Sequence, residues 1–84
     1  MPRVEWSGSA ATLAGSLSAD IADTMAGWNV RSAAVGLWLR LARAQFPSDR
    51  DARVVLEFDA DAGLLSFDAW VGDDRVYGAD DWVG

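Results

Sequence analysis

The stretch that decides the fold reads VRSAAVGLWLRLARAQF and occupies residues 30–46. Most of its residues are good helix formers, with Gly36 as the exception. Asn29 before it can cap a helix N-terminus, and Pro47 after it disfavours helical geometry at Phe46. The sequence therefore predicts one helix over residues 30–46, about four to five turns long.

The apolar side of this predicted helix is unusually wide. At about 100° per residue, the centre of the arc is formed by Ala34, Leu37, Trp38 and Leu41, and its flanks by Val35, Leu39, Ala42 and Phe46. An arc of this width exceeds what one contact with a sheet requires. We therefore expect a second element of this chain, or a second copy in a homodimer, to cover the remainder.

The residues before this helix predict shorter elements. Residues 3–6 alternate and predict a strand, and Ser7, Gly8 and Ser9 predict a turn. Residues 10–17 fit either a second strand or a loop. Ser18 is expected to cap a further helix, and one bent helix over residues 19–45 is the alternative.

The C-terminal half predicts an antiparallel sheet. Residues 54–59 and 64–71 alternate between apolar and polar, with a hairpin turn at residues 61–63. A second turn is expected at residues 72–74, followed by a shorter strand from residue 75 and a tail over residues 78–84 that folds back or stays loose. The predicted fold is α+β, with a meander of three to five antiparallel strands and one or two helices on one face, in the order β(β)αβββ. We expect residues 1–84 to form one domain.

Composition limits the chemistry open to this chain. It contains no Cys and no His, and all seven of its basic residues are Arg. The usual thiolate, imidazole and lysine nucleophiles, bases and metal ligands are therefore absent. Residues 59–63 begin like a calcium-binding EF-hand loop, but Leu64 stands where that loop needs glycine. We expect no enzyme activity, no cofactor and no specific metal site.

The sequence predicts a cytoplasmic protein. Residues 1–17 lack the cationic region and long apolar run of a signal peptide. The most apolar stretch, residues 30–46, is interrupted by arginines and is too short to cross a bilayer.

Charge divides the chain into two parts. Residues 1–48 hold four arginines against three carboxylates, whereas residues 49–84 hold ten carboxylates against three arginines, within a net charge of −6. The acidic part has the wrong sign for binding nucleic acid or an anionic membrane directly. It has the right sign for attracting a basic partner protein.

The predicted sheet has one apolar face and one wet face. The apolar face carries Val54, Leu56, Phe58, Leu65, Phe67, Ala69 and Val71. The wet face carries Glu57, Asp59, Asp61, Ser66, Asp68 and Trp70. Uncovered Trp is enriched at binding hot spots. The alternative is that the acidic side chains only keep the protein soluble and prevent edge-to-edge pairing of sheets.

Eight residues are candidates for partner binding on these grounds: Glu57, Asp59, Asp61, Asp68, Trp70, Asp73, Asp74 and Tyr77. Three other tryptophans, Trp6, Trp28 and Trp38, are expected in the core. Trp82 fits either the core or a contact surface.

In size, acidity and lack of catalytic groups, the chain resembles small inhibitors encoded by phages and bacteria, such as anti-CRISPR, DNA-mimic and toxin-immunity proteins. The likeness is one of composition over the whole chain, and no residue motif identifies a single family. It implies a non-enzymatic inhibitor whose acidic sheet docks on the basic, nucleic-acid-binding surface of a larger protein. The alternative is a structural or assembly module that dimerises through the apolar surface of the helix at residues 30–46.

Overall fold

The protein has an α+β fold, as predicted. A computed structural model describes residues 1–83. Its elements, in chain order, are β1 Arg3–Ser9, α1 Ala10–Gly27, α2 Val35–Arg43, β2 Asp51–Asp59, β3 Leu64–Val71 and β4 Asp74–Trp82. The strands form one antiparallel sheet in the order β1-β2-β3-β4. Both helices pack on the same face of this sheet, α1 over β1 and β2 and α2 over β4.

The N-terminal strand is longer than predicted and runs directly into a helix. The hydroxyl of Ser9 caps α1 by accepting a hydrogen bond from the Thr12 N–H at 3.2 Å. The predicted turn at residues 7–9, the second strand or loop at residues 10–17 and the cap at Ser18 are therefore wrong. The helix has a narrow buried side, one row of every fourth residue formed by Leu13, Leu17, Ile21 and Met25. Because only this one row of α1 is buried and most of the other residues are small, the sequence shows little of the periodicity typical of an amphipathic helix.

Helix α1 ends in a Schellman motif at the point where the next helix was expected to begin. Asn29 has a φ of 57°, and the N–H groups of Asn29 and Val30 donate to the carbonyl oxygens of Ala26 and Met25 at 3.1 and 2.9 Å. Asn is one of the few residues besides Gly that accept this left-handed conformation. Asn29 therefore terminates α1 and does not cap α2, which begins only at Val35.

The second helix is turned about its axis relative to the prediction. Its buried residues are Val35, Trp38, Leu39 and Ala42. Leu37 and Leu41, which were expected at the centre of the apolar arc, are 46% and 41% exposed. Because α2 packs beside α1 as well as on the sheet, the side bearing Val35 and Leu39 turns inward and the leucines turn outward.

The helix-covered face of the sheet follows the predicted alternation. Six of the seven predicted residues are at most 3% exposed, namely Val54, Leu56, Leu65, Phe67, Ala69 and Val71, and Phe58 is partly buried. The ring of Phe67 lies 6.0 Å from that of Trp38 on α2. Trp6 and Trp28 pack partly buried against the same core. The core therefore lies between the sheet and the helices, and the other face of the sheet is left open.

The last strand is longer than predicted. Gly72, with a φ of 57°, opens the turn after β3, as the first position of a type II′ hairpin requires. The turn ends one residue earlier than expected, and β4 then pairs with β3 as far as Trp82. The third strand of the C-terminal half is therefore present but longer than predicted, and residues 78–82 continue it instead of folding back or staying loose. Gly84 at the end of the predicted tail lies outside the described residues.

A β-bulge interrupts the pairing of β3 with β4. Trp70 pairs with Arg75, whereas the preceding residue Ala69 pairs with Tyr77, so Val76 is an extra residue in β4. Successive strand residues point to opposite faces, so one extra residue exchanges the faces of everything that follows it. The bulge therefore decides which side chains of β4 reach each face.

Candidate functional site

The face of the sheet away from the helices, here called the outer face, carries rows of side chains set by the strand pairing, and four of these rows cross β3. The rows are Asp59, Leu64 and Trp82; then Arg3, Glu57, Ser66 and Asp80; then Glu5, Val55, Asp68 and Gly78; then Ser7, Arg53, Trp70 and Arg75. Leu64 in the first row and Trp70 in the last are six positions apart on β3, which corresponds to about 20 Å. The outer face therefore has two ends far enough apart to act separately.

The predicted binding residues are divided between these two ends. Glu57 and Asp59 lie near the first row, and Asp61 lies in the turn that follows Asp59. Trp70 lies in the last row, with Asp68 one row away. Two further candidates, Asp73 and Asp74, lie at the turn beyond Trp70. The acidic strand residues and Trp70 do share a face, but they do not form one compact patch.

Tyr77 lies on the opposite face from Glu57, Asp59, Asp68 and Trp70. It pairs with buried Ala69, and its ring contacts Phe67 edge-on at 6.0 Å between centroids. Without the bulge at Val76, a two-residue turn would place Tyr77 opposite Asp68 and in the solvent. Tyr77 is therefore not part of the outer face, and its half-buried ring lies on the core side of the sheet.

The end of the outer face around Trp70, here called the arginine end, consists of Arg53, Trp70 and Arg75 with their partners. The guanidinium of Arg53 lies 4.9 Å from the centre of the Trp70 ring and donates to Glu5 Oε1 at 2.8 Å. Arg75 Nε donates to Asp68 Oδ1 at 2.6 Å. These contacts partly cover the Trp70 ring and pair Glu5 and Asp68 with arginines, so this end carries less unpaired negative charge than the sequence indicated.

The ionisation of Glu5 reflects this pairing. The hydrogen bond from Arg53 holds the pKa of Glu5 below its ordinary value of 4.5, against opposing desolvation, and the charges of Arg53 and Arg3 lower the pKa further. Arg3 also lies 4.0 Å from Glu57, measured from Nε to Oε2. Arg3 and Arg53 thus act as counter-charges on a face for which the sequence prediction counted only carboxylates.

The opposite end, here called the acidic end, consists of Glu57, Asp59, Asp61 and Asp80 around Leu64 and Trp82. Trp82 is 73% exposed, the largest exposed aromatic side chain among residues 1–83. Within that part of the chain, no basic nitrogen lies within 4.0 Å of the carboxylates of Asp59, Asp61 or Asp80. Most of the negative charge at this end is therefore available to a partner.

The backbone under the acidic end is held firmly. Asp59 Oδ1 accepts the N–H groups of Asp61 and Ala62 at 3.1 and 3.2 Å, which fixes the turn between β2 and β3. On the other side of β4, the Ser32 hydroxyl donates to Asp81 Oδ2 at 2.7 Å. Because Asp81 is tied to the helix side, its neighbour Trp82 is directed to the outer face.

The backbone pairing continues one residue past Trp82. The Val83 N–H donates to the Gly63 carbonyl oxygen at 2.7 Å. Trp82 therefore projects from an ordered strand. Binding a partner through Trp82 requires little further loss of backbone conformational entropy.

Sequence reasoning left Trp82 undecided and missed Asp80 and the outer-face arginines. Arg53 belongs to the same alternating series as Glu57 and Asp59, so the sequence was enough to place it on the outer face. The sequence was not enough to place Asp80 and Trp82 there, because their face depends on the bulge at Val76.

Comparison with protein-family models, with curated proteins and with solved structures gives no match for this chain. Within residues 1–83, no three Asp or Glu side chains are gathered closely enough to hold a metal ion. Neither α1 nor α2, the helices described in that range, has the length and apolar character needed to cross a membrane.

Proposed function

We propose that this protein is a non-enzymatic binding module whose acidic end docks on the basic, nucleic-acid-binding surface of a larger protein. The observation that carries the proposal is Trp82, exposed on a paired strand with Asp80 beside it and Asp59 in its own row. Hot spots of protein interfaces are rich in Trp and are surrounded by polar residues that exclude water. Trp82 and its carboxylates have this composition.

The charge of the acidic end favours a basic partner over other classes of partner. Unpaired carboxylates repel phosphate groups and attract Lys and Arg side chains, and they speed the encounter with a basic surface. A surface that normally binds nucleic acid offers such side chains at close spacing. A small acidic module seated there would exclude the nucleic acid, which is the action of an inhibitor.

The proposed surface is narrower than the set of candidates from the sequence. It comprises Glu57, Asp59, Asp61, Leu64, Asp80 and Trp82. Asp68 and Trp70 are engaged by arginines, and Asp73 and Asp74 lie at the far end of the sheet. These four residues serve as internal controls.

The test begins with affinity capture of partner proteins from the source cells and continues with the captured partner in purified form. Its dissociation constant is measured by calorimetry for wild type and for two doubly substituted variants. Asp61→Asn with Asp80→Asn changes the acidic end, and Asp73→Asn with Asp74→Asn makes the same charge change at the other end. A third variant, Trp82→Ala, removes the aromatic anchor.

The proposal predicts that Trp82→Ala weakens binding by about 30-fold or more, as expected for a hot spot. The acidic-end double variant should weaken binding and reduce its salt dependence, while the control double variant binds as wild type does. Bound protein should also displace nucleic acid from the partner in a fluorescence anisotropy assay. Equal effects of the two double variants, or partner and nucleic acid bound together, would contradict the proposal.

A second candidate function is homodimer assembly through α2. Leu37 and Leu41 lie one helical turn apart, and both leucines are more than two-fifths exposed. Light scattering after gel filtration measures the mass in solution. A dimer that becomes a monomer with Leu37→Glu and Leu41→Glu supports this function, and a wild-type monomer at high concentration excludes it.

A further inference from the structure

A groove lies between the C-terminal half of α1 and the N-terminal half of α2, on the helix side of the molecule. Its volume is about 580 Å³, within the range of small-molecule sites. The floor is apolar and is formed by Ile21, Met25, Val35 and Leu39, each at most 8% exposed. The groove is therefore separate from the acidic end and does not depend on the function proposed above.

Small residues keep the groove open. Ala22 and Ala26 line it from α1, and Gly36 lines it from α2. A Cβ atom added at Gly36 would meet nothing within 4 Å, so no contact within the protein requires a glycine there. Glycine inside a helix costs about 1 kcal/mol relative to alanine. Gly36 thus lowers the stability of α2 while leaving space in the groove wall.

An arginine lies at each end of the groove, and the two arginines differ in their contacts. Near one end, Arg43 bridges the helices by donating to the carbonyl oxygen of Ala14 and the hydroxyl of Ser18 at 3.3 and 3.2 Å. At the other end lies Arg31, the single charged residue that lines the groove. Among residues 1–83, no carboxylate lies within 4.0 Å of the Arg31 guanidinium.

Arg31 is the charged recognition group at this end, and Asn29 and Ser32 are its polar neighbours in the groove lining. The Ser32 hydroxyl is occupied, because it donates to Asp81 and accepts the Ala34 N–H at 3.2 Å. An apolar channel whose one charged lining residue is a cation complements a molecule with an apolar body and one acidic group. Arg31 is exposed, so an acidic group gains a solvent-screened ion pair there, whereas a basic group would be repelled.

We infer that this groove binds a small amphipathic anion, a carboxylate or sulfonate with an apolar body, whose acidic group pairs with Arg31. The apolar body would cover Ile21, Met25 and Leu39 and pass beside Gly36. The proposal is one of binding alone and names no reaction.

The test uses anilinonaphthalene sulfonate as a fluorescent probe, with decanoate and decanol as competitors. Wild type should bind one equivalent of the probe in a saturable manner, and decanoate should displace it more effectively than decanol. Arg31→Gln should weaken decanoate binding about five-fold, the upper range for an exposed ion pair, and leave decanol unaffected. Near-ultraviolet circular dichroism confirms native packing, since loosely packed states also bind this dye.

Two glycine variants provide a matched pair. Gly36→Leu fills the groove and should abolish binding, whereas Gly15→Leu, at another helical glycine with open space around it, should bind the probe as wild type does. If Gly36→Leu fails to fold, Ala22→Leu blocks the groove from α1 instead. The proposal is overturned if a folded blocking variant still binds the probe, if Arg31→Gln affects both competitors equally, or if wild type binds none. It is also overturned if light scattering shows a dimer that Gly36→Leu converts to monomer, because a second copy then occupies the groove.

Discussion

The register of β4 can be tested by comparing truncation of two aromatic side chains, Tyr77 and Trp82. The bulge places Tyr77 against Phe67 on the core side and leaves Trp82 73% exposed. Truncation of a fully buried large aromatic residue to alanine costs about 3–5 kcal/mol. Because Tyr77 keeps some exposure, we expect Tyr77→Ala to lower the free energy of unfolding by about 2–3 kcal/mol. Trp82→Ala removes an exposed ring and should lower it by less than about 1 kcal/mol.

The assay is urea unfolding followed by far-ultraviolet circular dichroism, which avoids the fluorescence change caused by losing a tryptophan. With a slope of about 1 kcal/mol per molar urea, Tyr77→Ala should move the midpoint by about 2–3 M and Trp82→Ala by under about 1 M. Tyr77→Phe is the control, since it keeps the ring that contacts Phe67 and should retain most of the stability. If Trp82→Ala proves the more costly of the two alanine variants, the faces of β4 are assigned the wrong way round.

Three further predictions address α1, α2 and the arginine end. Ser9→Ala should lower the free energy of unfolding by about 1 kcal/mol, because it removes the side-chain acceptor of the Thr12 N–H; no change in thermal unfolding would show that the cap is unimportant. Gly36→Ala should raise the free energy of unfolding by about 0.5–1 kcal/mol, and a loss in the same assay would mean that the space beside Gly36 is not open. Arg53→Gln should raise the pKa of Glu5 towards 4.5, measured from carboxyl chemical shifts, and an unchanged pKa would disprove the hydrogen bond. Because folding lowers the pKa of Glu5, ionised Glu5 stabilises the protein above pH 4.5. This contribution is lost as the pH falls through the folded-state pKa. The stability advantage of wild type over Arg53→Gln should therefore disappear in that pH range.

The sheet core could be predicted from the sequence because burial on one face leaves a period of two. The alternation of Val54, Leu56, Leu65 and Phe67 identified both the strands and the side that faces the helices. The helices were harder to place, because their boundaries depend on Ser9 and Asn29. These residue types cap helix starts, and asparagine also ends helices in the left-handed conformation.

The candidate site could be predicted only in part. The acidic residues of β2 and β3 were assigned to the correct face, because they alternate with the core residues. The residues of β4 were not, since a bulge at Val76 leaves no pattern in a strand where charged and apolar residues are mixed. One extra residue moved Tyr77 inward and Asp80 and Trp82 outward, and so changed which tryptophan is the aromatic centre of the acidic surface.

The most direct test of the proposed binding surface is a nuclear magnetic resonance titration of ¹⁵N-labelled protein with a nine-residue arginine peptide. The peptide represents a basic surface and requires no identified partner. The proposal predicts that the indole N–H of Trp82 and the amides of Leu64 and Asp80 shift, while the indole N–H of Trp70 stays in place. Shifts centred on Trp70 and Asp73, or no shift of the Trp82 indole at saturating peptide, would contradict it.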